Sequence, residues 1–173
     1  MGMRSTATML FGHVEHYEHR IDHLRRLREL QDETGGFAGF IPFAFEPRNA
    51  RPELRGIPPA TAFEELKNLA VSRIYLDNFD HLTAYWVSLG LPLAALALNY
   101  GVDDLHGTIM EEKIFHMAGA KTPQQQTVAS LEKAIREAGR EPMQRDTWYR
   151  RIAPTWRQAE ADRTIAQSKL ACA

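Results

Sequence analysis

The sequence predicts an α/β fold made of four consecutive β/α units, followed by carboxyl-terminal helices. Two observations support this class. Short apolar segments rich in β-branched and aromatic residues carry no helical period, and amphipathic segments with apolar residues every three or four positions separate them. Glycines close several of these amphipathic segments. The alternation is typical of parallel strands joined by helical crossovers. Four such units make half of a (β/α)₈ barrel, and a small open α/β sheet is the alternative on pattern alone.

The first predicted unit begins with the strand Ser5–Phe11, which is apolar, rich in β-branched residues and ended by Gly12. The helix that follows runs from Tyr17 to Glu33 and stops at Gly35-Gly36. Its apolar residues, spaced by three and four, are Tyr17, Ile21, Leu24, Leu27 and Leu30. Charged residues fill most of the other positions, so we expect one buried and one solvated face.

The second predicted unit pairs the strand Phe37–Phe45 with a helix that passes through Ile74. Between them, residues 46–59 contain four prolines and alternating charges, which is typical of a loop. Thr61 and Glu64 have the spacing of a capping box, in which each side chain accepts a hydrogen bond from the other residue's amide. The second helix is therefore expected to begin at Thr61.

The third and fourth predicted units are shorter. In chain order, the expected elements are a strand over Leu82–Val87, a helix over Leu91–Tyr100, a strand over Asp104–Ile109, a helix over Glu111–Ala118 and a helix that opens at Thr122-Pro123. The glycines that follow these three helices are Gly101, Gly119 and Gly139.

The composition excludes several classes of function. The 21 basic and 22 acidic residues nearly cancel, so a general attraction to nucleic acid is not expected. No apolar run approaches the roughly 18 residues that cross a bilayer, and the amino terminus does not resemble a secretory signal. Cys172 is the one cysteine and cannot form an intrachain disulfide, hold an iron–sulfur cluster or build a cysteine-rich zinc site. We expect a cytoplasmic protein with a small-molecule substrate, no nucleic acid partner and no membrane.

Four histidines lie within eleven residues, namely His13, His16, His19 and His23. The last three have helical spacing, and imidazoles one turn apart can chelate a metal ion. They fall beside arginines on the polar half of the predicted helix, so we favour solvated surface histidines and predict no metal site. His13 differs because it directly follows a strand, where a parallel barrel places its active-site loops.

Carboxylates and a histidine flank the predicted fourth strand, namely Asp103, Asp104, His106, Glu111 and Glu112. Such a cluster can bind a cation, orient a hydroxyl or ammonium group, or transfer protons. The alternative is that these are structural charges beside helices. Asp103 and Asp104 follow a helix end, where the helix dipole disfavours carboxylates, and this favours a functional role. Glu111 and Glu112 suit a helix start electrostatically and are compatible with either role.

Segments spread along the chain resemble one family in the same order. They are residues 5–15, 27–37, 40–45, 76–78, 84–86, 98–108 and 110–112. Together they resemble the carboxyl-terminal half of the radical S-adenosylmethionine enzymes of the futalosine route to menaquinone, and of relatives that build the deazaflavin chromophore. The run HMAGAKTP at 116–123 and the RDT at 145–147 favour the aminodeoxyfutalosine synthases within that group.

The resemblance implies a barrel in which a [4Fe–4S] cluster cleaves S-adenosylmethionine to a 5′-deoxyadenosyl radical. In aminodeoxyfutalosine synthases this radical adds to the enol-ether carbon of 3-[(1-carboxyvinyl)oxy]benzoate, and rearrangement with loss of the carboxyl group gives the product. The enzymatic alternatives are the sister activities, cyclic dehypoxanthine futalosine synthase and the deazaflavin-forming synthase.

The family's CxxxCxxC cluster motif is absent from this sequence. We therefore expect this chain alone to bind no cluster and to be inactive. A non-catalytic half-barrel is the remaining alternative. Its partner would be a missing amino-terminal half or, as a homodimer, a second copy of the chain.

The resemblance also implies site residues, because the segment Leu10–Glu15 is similar to the end of the G-x-I-x-G-x-x-E element on the fifth strand of these barrels, which lies beside the adenine. The expected cofactor-binding residues are Gly12, His13, Glu15 and Phe43; the substrate-binding residues are Trp86 and Thr108; the catalytic residues are Asp104 and Glu111. We expect residues 1–121 to form the half-barrel, 122–150 a helix and the family tail, and 151–173 a further tail.

Overall fold

Two parallel strands form a small sheet, as the first two predicted units require. In the computed structural model, which describes residues 2–109 and 111–153, strand β1 (Ser5–Phe11) pairs in parallel with strand β2 (Phe37–Ala44). Helix α1 (Tyr17–Thr34) connects them and ends at Gly35, whose φ of 56° is a left-handed conformation that glycine adopts without steric cost. The first predicted unit and the second strand are therefore confirmed.

Helices cover one face of β1, and the other face is bare. The buried residues of β1 are Ala7, Met9 and Phe11, and the exposed ones that alternate with them are Thr6, Thr8 and Leu10. The buried set joins the core together with Leu24 of α1 and Leu69 of helix α2 (Ala62–Tyr75). This alternation shows that other elements pack against only one face of β1.

The predicted third and fourth strands are reduced to single parallel bridges. Leu82 bridges Phe40 of β2, and Thr83 bridges Asp104. The expected strands over Leu82–Val87 and Asp104–Ile109 are therefore not confirmed, and what is shown is a mixed α/β fold with a small parallel sheet. Helix α3 (Trp86–Leu89) begins inside the first of these segments. His106 and Gly107 have φ values of 72° and 91°, which turn the second segment out of the extended conformation.

The carboxyl-terminal helices are shorter than predicted. They are α4 (Leu91–Ala97), α5 (Ile114–Ala118) and α6 (Val128–Glu137). The expectation that a helix opens at Thr122-Pro123 is wrong. The hydroxyl of Thr122 donates instead to the carbonyl of Val87 at 2.5 Å, and Thr127 caps α6 by accepting a hydrogen bond from the amide of Ser130. The predicted loop over residues 46–59 is confirmed, with one 3₁₀ turn at Pro52–Leu54.

The chain divides into two compact units, Met1–Glu141 and Pro142–Ala173. All the strands and helices above belong to the first unit. In the described part of the second unit, Arg145 and Arg151 form an antiparallel bridge. Residues 154–173, most of the predicted further tail, lie outside the described residues. The boundaries at 121 and 150 stay predictions. Within residues 2–109 and 111–153, we find no helix of the length and apolarity needed to span a bilayer.

Candidate functional site

The loop after β1 is folded around the carboxylate of Glu15. One of its oxygens accepts a hydrogen bond from the amide of Gly12 at 2.6 Å, and the other accepts one from the amide of His13 at 2.9 Å. Gly12 has a φ of 85°, so the turn that presents its amide requires glycine. Partial burial raises the pKa of Glu15, but these amide hydrogen bonds and Arg20 outweigh it and bring the pKa down to about 2. The carboxylate therefore stays ionised and holds the loop.

Arg20 of α1 is the cation that fixes this carboxylate. Its Nε donates to Glu15 at 2.7 Å, and a terminal nitrogen donates to Glu64 of α2 at 2.9 Å. The guanidinium also lies 5.0 Å from the ring centroids of both Phe11 and Tyr17. The Arg20 side chain is 9% exposed, so this arginine joins β1, α1 and α2 in the interior.

The Arg20 contact corrects one expectation from the sequence and reveals one omission. The Thr61 hydroxyl does accept a hydrogen bond from the amide of Glu64 at 3.2 Å. The carboxylate of Glu64, however, binds Arg20, so the reciprocal half of the predicted capping box is replaced. In the sequence, Arg20 is one of the charged residues that were expected on the solvated face of α1. No local signal indicates its burial, because only the fold brings Glu64 to the arginine that also binds Glu15.

His13 lies next to this loop, and its ring packs edge-on against Phe45, with the centroids 5.7 Å apart. Its Nδ1 is 3.6 Å from the Glu15 carboxylate. His16 and His19 are exposed at the start of α1, as predicted, and the amide of His16 donates to the His19 ring at 3.0 Å. Among the described residues, no group of three or more His, Cys, Asp or Glu side chains is arranged to hold a metal ion.

An aromatic cluster lies at the carboxyl end of β2. Phe43 packs against Tyr85 and Phe115 with centroid distances of 5.3 Å and 5.7 Å. Tyr85 in turn meets the ring of His106 at 5.1 Å. Burial, together with the charge of Glu112, raises the pKa of Tyr85 to about 12, so its hydroxyl keeps its proton at neutral pH. Phe43, an expected cofactor contact, is thus part of an apolar wall.

Trp86 is fully buried in the core, and its indole nitrogen donates to the carbonyl of Gly107 at 2.8 Å. The neighbouring Thr108 is exposed. Trp86 therefore supports the loop that carries Thr108. A direct contact between Trp86 and a substrate stays a prediction.

The two expected catalytic carboxylates have different surroundings. Asp104 is partly buried, and its carboxylate accepts hydrogen bonds from the Thr83 hydroxyl at 2.7 Å and from the amide of His106 at 3.1 Å. The Glu111 side chain is 64% exposed and lies 3.2 Å from the ammonium group of Lys113. Asp104 is therefore held in one orientation by Thr83 and the His106 amide, and Glu111 has an ordinary surface ion pair.

Glu112, a member of the acidic cluster seen in the sequence, forms a largely buried pair with His116, which the sequence did not predict. Glu112 accepts hydrogen bonds from the amides of Ile114 and Phe115, which explains why α5 begins later than predicted. The two ring nitrogens of His116 lie 3.1 Å from the Glu112 carboxylate and 2.8 Å from the carbonyl of Thr122. The carbonyl of Thr122, followed by Glu112, raises the pKa of His116 despite its burial. This pair anchors the segment between α5 and α6.

Comparison with known proteins decides the family. Residues 34–158 match the family model described as the CofH/MqnC C-terminal region. The chain belongs to this family. The resemblance of this chain to the carboxyl-terminal half of the futalosine-route radical S-adenosylmethionine enzymes, expected from the sequence, is confirmed.

Curated relatives of this CofH/MqnC chain carry three different names. An aminodeoxyfutalosine synthase of Thermus thermophilus is 48% identical over 163 residues, 93% of this chain and 44% of the relative. A cyclic dehypoxanthine futalosine synthase of Streptomyces coelicolor is 41% identical, over 88% of this chain and 37% of the relative. A 5-amino-6-(D-ribitylamino)uracil–L-tyrosine 4-hydroxyphenyl transferase of Methanoculleus marisnigri is 43% identical, over 86% and 41%. The chain spans less than half the length of each of these relatives.

Proposed function

We propose that this chain forms the carboxyl-terminal, substrate-facing portion of an aminodeoxyfutalosine synthase. The observation that carries the proposal is the 48% identity to the Thermus thermophilus synthase over 93% of the chain. The complete enzyme would join a 5′-deoxyadenosyl group to 3-[(1-carboxyvinyl)oxy]benzoate with loss of its carboxyl group, in the cytoplasm.

A [4Fe–4S] cluster with S-adenosylmethionine would supply the adenosyl radical in the complete enzyme. The residues of this chain do not fit the cluster, because Cys172 is its one cysteine. The cluster ligands would therefore come from outside this chain. What this chain contributes is binding and orientation of the adenosyl group and the substrate.

The Gly12–Glu15 loop is the part of this chain that would border the adenosyl group. Its amides are fixed by Glu15, so the loop would not need to reorganise when a ligand binds. Phe43 would add an apolar wall beside the same strand end. In this arrangement Glu15 is a positioning residue, which acts through the backbone of Gly12 and His13.

The segment after Asp104 would face the substrate. The Asp104 carboxylate is oriented by Thr83, so it is suited to accept or return a proton at a fixed point. Thr108 and Glu111 are exposed nearby in sequence and would contact the substrate from the same loop. Trp86 would position this loop through Gly107.

The bare face of β1 would be the inward face of a barrel. Thr6, Thr8 and Leu10 are exposed along it, and β1 is an edge strand of the sheet in the described structure. Unpaired edges and bare faces favour association. We infer that an amino-terminal half, or a second copy of this chain, pairs with the free edge of β1 and completes a parallel barrel. The two bridged segments would continue the sheet from its other edge, beyond β2.

A chimeric enzyme tests the function. The matching region of the Thermus thermophilus relative is replaced by this chain, and products are identified by mass spectrometry after anaerobic turnover. We expect aminodeoxyfutalosine. Formation of the cyclic dehypoxanthine or ribitylaminouracil–tyrosine product instead would contradict the assignment. A folded chimera that retains its cluster and gives no product would favour the non-catalytic half-barrel.

A further inference from the structure

A small cavity of about 50 Å³ lies behind the carboxyl end of β2. Phe45, Ala60 and Phe115 are among its apolar walls, and its polar lining consists of Glu46, Glu65 and Ser88. A water molecule occupies about 30 Å³ in the liquid, so this space has room for the polar edge of a ligand and not for a whole ligand.

Glu65 is the carboxyl group in this cavity that has no charged partner. It lies in the first turn of α2, and among the described residues we find no hydrogen bond or ion pair to its carboxyl group. Glu46, by contrast, lies 3.3 Å from Nε of Arg48 and accepts a hydrogen bond from the Arg48 amide. Burial, with a further contribution from the charge of Glu64, raises the pKa of Glu65 to about 7. Near neutral pH, Glu65 therefore carries a proton for much of the time.

Two walls of the cavity touch residues that are proposed to contact the adenosyl group. The Cβ of Ala60 is 3.6 Å from the position that a Cβ would occupy on Gly12. Phe45 packs against the ring of His13. The cavity that Glu65 lines therefore adjoins the loop that would border the adenosyl group.

A protonated carboxyl group presents a donor and an acceptor side by side. The outer edge of adenine presents the complementary pair, an acceptor at N1 and a donor at the exocyclic amine. The two groups can form a ring of two hydrogen bonds, whereas a carboxylate has no donor for N1. A buried polar group that is satisfied by one ligand and left unpaired by another gives strong discrimination.

We propose that Glu65, as a neutral acid, binds the N1 and amine edge of the adenine in the adenosyl group. This inference rests on the proposed function, because that function supplies the adenine. It makes Glu65 a specificity-determining residue, although Glu65 stands in none of the segments that carry the family resemblance.

Ligand titrations of this chain test the proposal. The probes are 5′-deoxyadenosine and its 1-deaza analogue, which lacks the N1 acceptor, and binding is followed by amide NMR shifts at pH 6.0 and pH 8.5. The parent chain should bind 5′-deoxyadenosine about tenfold more weakly at pH 8.5 and should bind the 1-deaza analogue about tenfold more weakly at pH 6.0. Glu65→Gln keeps both a donor and an acceptor, so it should retain the discrimination and lose the pH dependence. Glu65→Ala should bind the two probes equally.

The comparison isolates Glu65 because the other groups around the cavity are the same in every variant. They are Glu46 and Arg48 from the loop, Glu64 from α2, Ser88 from α3 and His13 beside Phe45. Glu53→Gln, at an exposed residue of the same loop, is the control and should behave as the parent. Circular dichroism verifies that each variant is folded.

Two failures are distinguishable. Binding of 5′-deoxyadenosine that is unchanged in Glu65→Ala, with discrimination intact, would overturn the role of Glu65 and leave the proposed function standing. Absence of binding by every folded variant and by the parent at both pH values would contradict the adenosyl site itself, and the role of Glu65 would fall with it.

Discussion

Nε of Arg20 lies 2.7 Å from the carboxylate of Glu15, and both side chains are largely withdrawn from solvent. The same guanidinium reaches Glu64 of α2. Because two carboxylates share one cation in the interior, the arginine links the loop after β1 to the helix that follows β2. The Arg20 side chain therefore contributes both to the stability of the fold and to the shape of the candidate site.

Arg20→Met is expected to lower the free energy of unfolding by about 2–3 kcal/mol, because it leaves the Glu15 and Glu64 carboxylates without their cation. Arg25→Met is the matched control on the same helix. The Arg25 side chain is 45% exposed, with ion pairs at the surface that water screens, so its loss should lower the free energy of unfolding far less than the loss of Arg20. Urea unfolding followed by circular dichroism measures both. Equal losses would show that Arg20 is not the link.

Glu15→Gln should destabilise the protein at neutral pH and have little effect near pH 2. The folded pKa of Glu15, about 2, lies below the usual value of 4.5. Its contribution to stability is therefore complete above pH 4.5 and is lost as the pH falls through 2, up to about 3 kcal/mol. Unfolding free energies of parent and variant, measured from pH 7 to pH 2, should converge at the acid end. A difference in unfolding free energy that stays the same from pH 7 to pH 2 would contradict the lowered pKa of Glu15.

Glu65→Gln should change the free energy of unfolding with the opposite dependence on pH. The folded pKa of Glu65 is raised to about 7 from 4.5, so the folded protein binds a proton more tightly than the unfolded chain. The cost of burying the charge is absent below pH 4.5, grows up to pH 7 and is complete above it. The variant is expected to be about 1–2 kcal/mol more stable than the parent at pH 8, and equally stable at pH 4. The exposed Glu53→Gln should show no such trend, and a stabilisation that is the same at both pH values would refute the prediction.

His13→Ala should reduce turnover of the chimeric enzyme at least tenfold, because His13 follows β1 and packs on Phe45 beside the cavity. His19→Ala should leave turnover within about twofold, because His19 is exposed at the start of α1. Steady-state assays of both variants make the comparison. Large and equal losses would point to a functional histidine cluster on α1, which zinc binding would then test.

The isolated chain is expected to self-associate through the bare face of β1. Light scattering at low micromolar concentration should show species larger than a monomer, and Leu10→Lys should reduce them by placing a charge on that face. Ile74→Lys, at a residue of α2 that is 79% exposed, should not. A parent chain that is monomeric, with a melting temperature independent of concentration, would contradict this expectation.

Local signals predicted the first half of the fold well. The β-branched run of β1, the three- and four-residue spacing in α1 and the left-handed Gly35 each act over a few residues, so the sequence displays them directly. Thr61 was also found as a cap, because an amino-terminal cap needs only one hydroxyl near one amide.

The bridged segments were harder to predict because side chains take over the hydrogen bonding there. The Asp103 carboxylate accepts a hydrogen bond from the amide of Leu82, and the Asp104 carboxylate accepts one from Thr83. Both contacts join segments about twenty positions apart, and a pattern of apolar residues does not encode them. The acidic cluster is visible in the sequence, but two of its carboxylates serve to join the two bridged segments.

The two contacts of Arg20 also differ in how much chain separates the partners. Glu15 is five positions away, and Glu64 is 44 positions away. Closing the short segment between Glu15 and Arg20 costs little entropy. The Glu64 contact can form only after β2 has paired with β1 and the proline-rich loop has brought α2 next to α1. We expect the Glu15 contact to form before the folding transition state and the Glu64 contact after it. Disruption of the first would then slow folding, and disruption of the second would mainly speed unfolding.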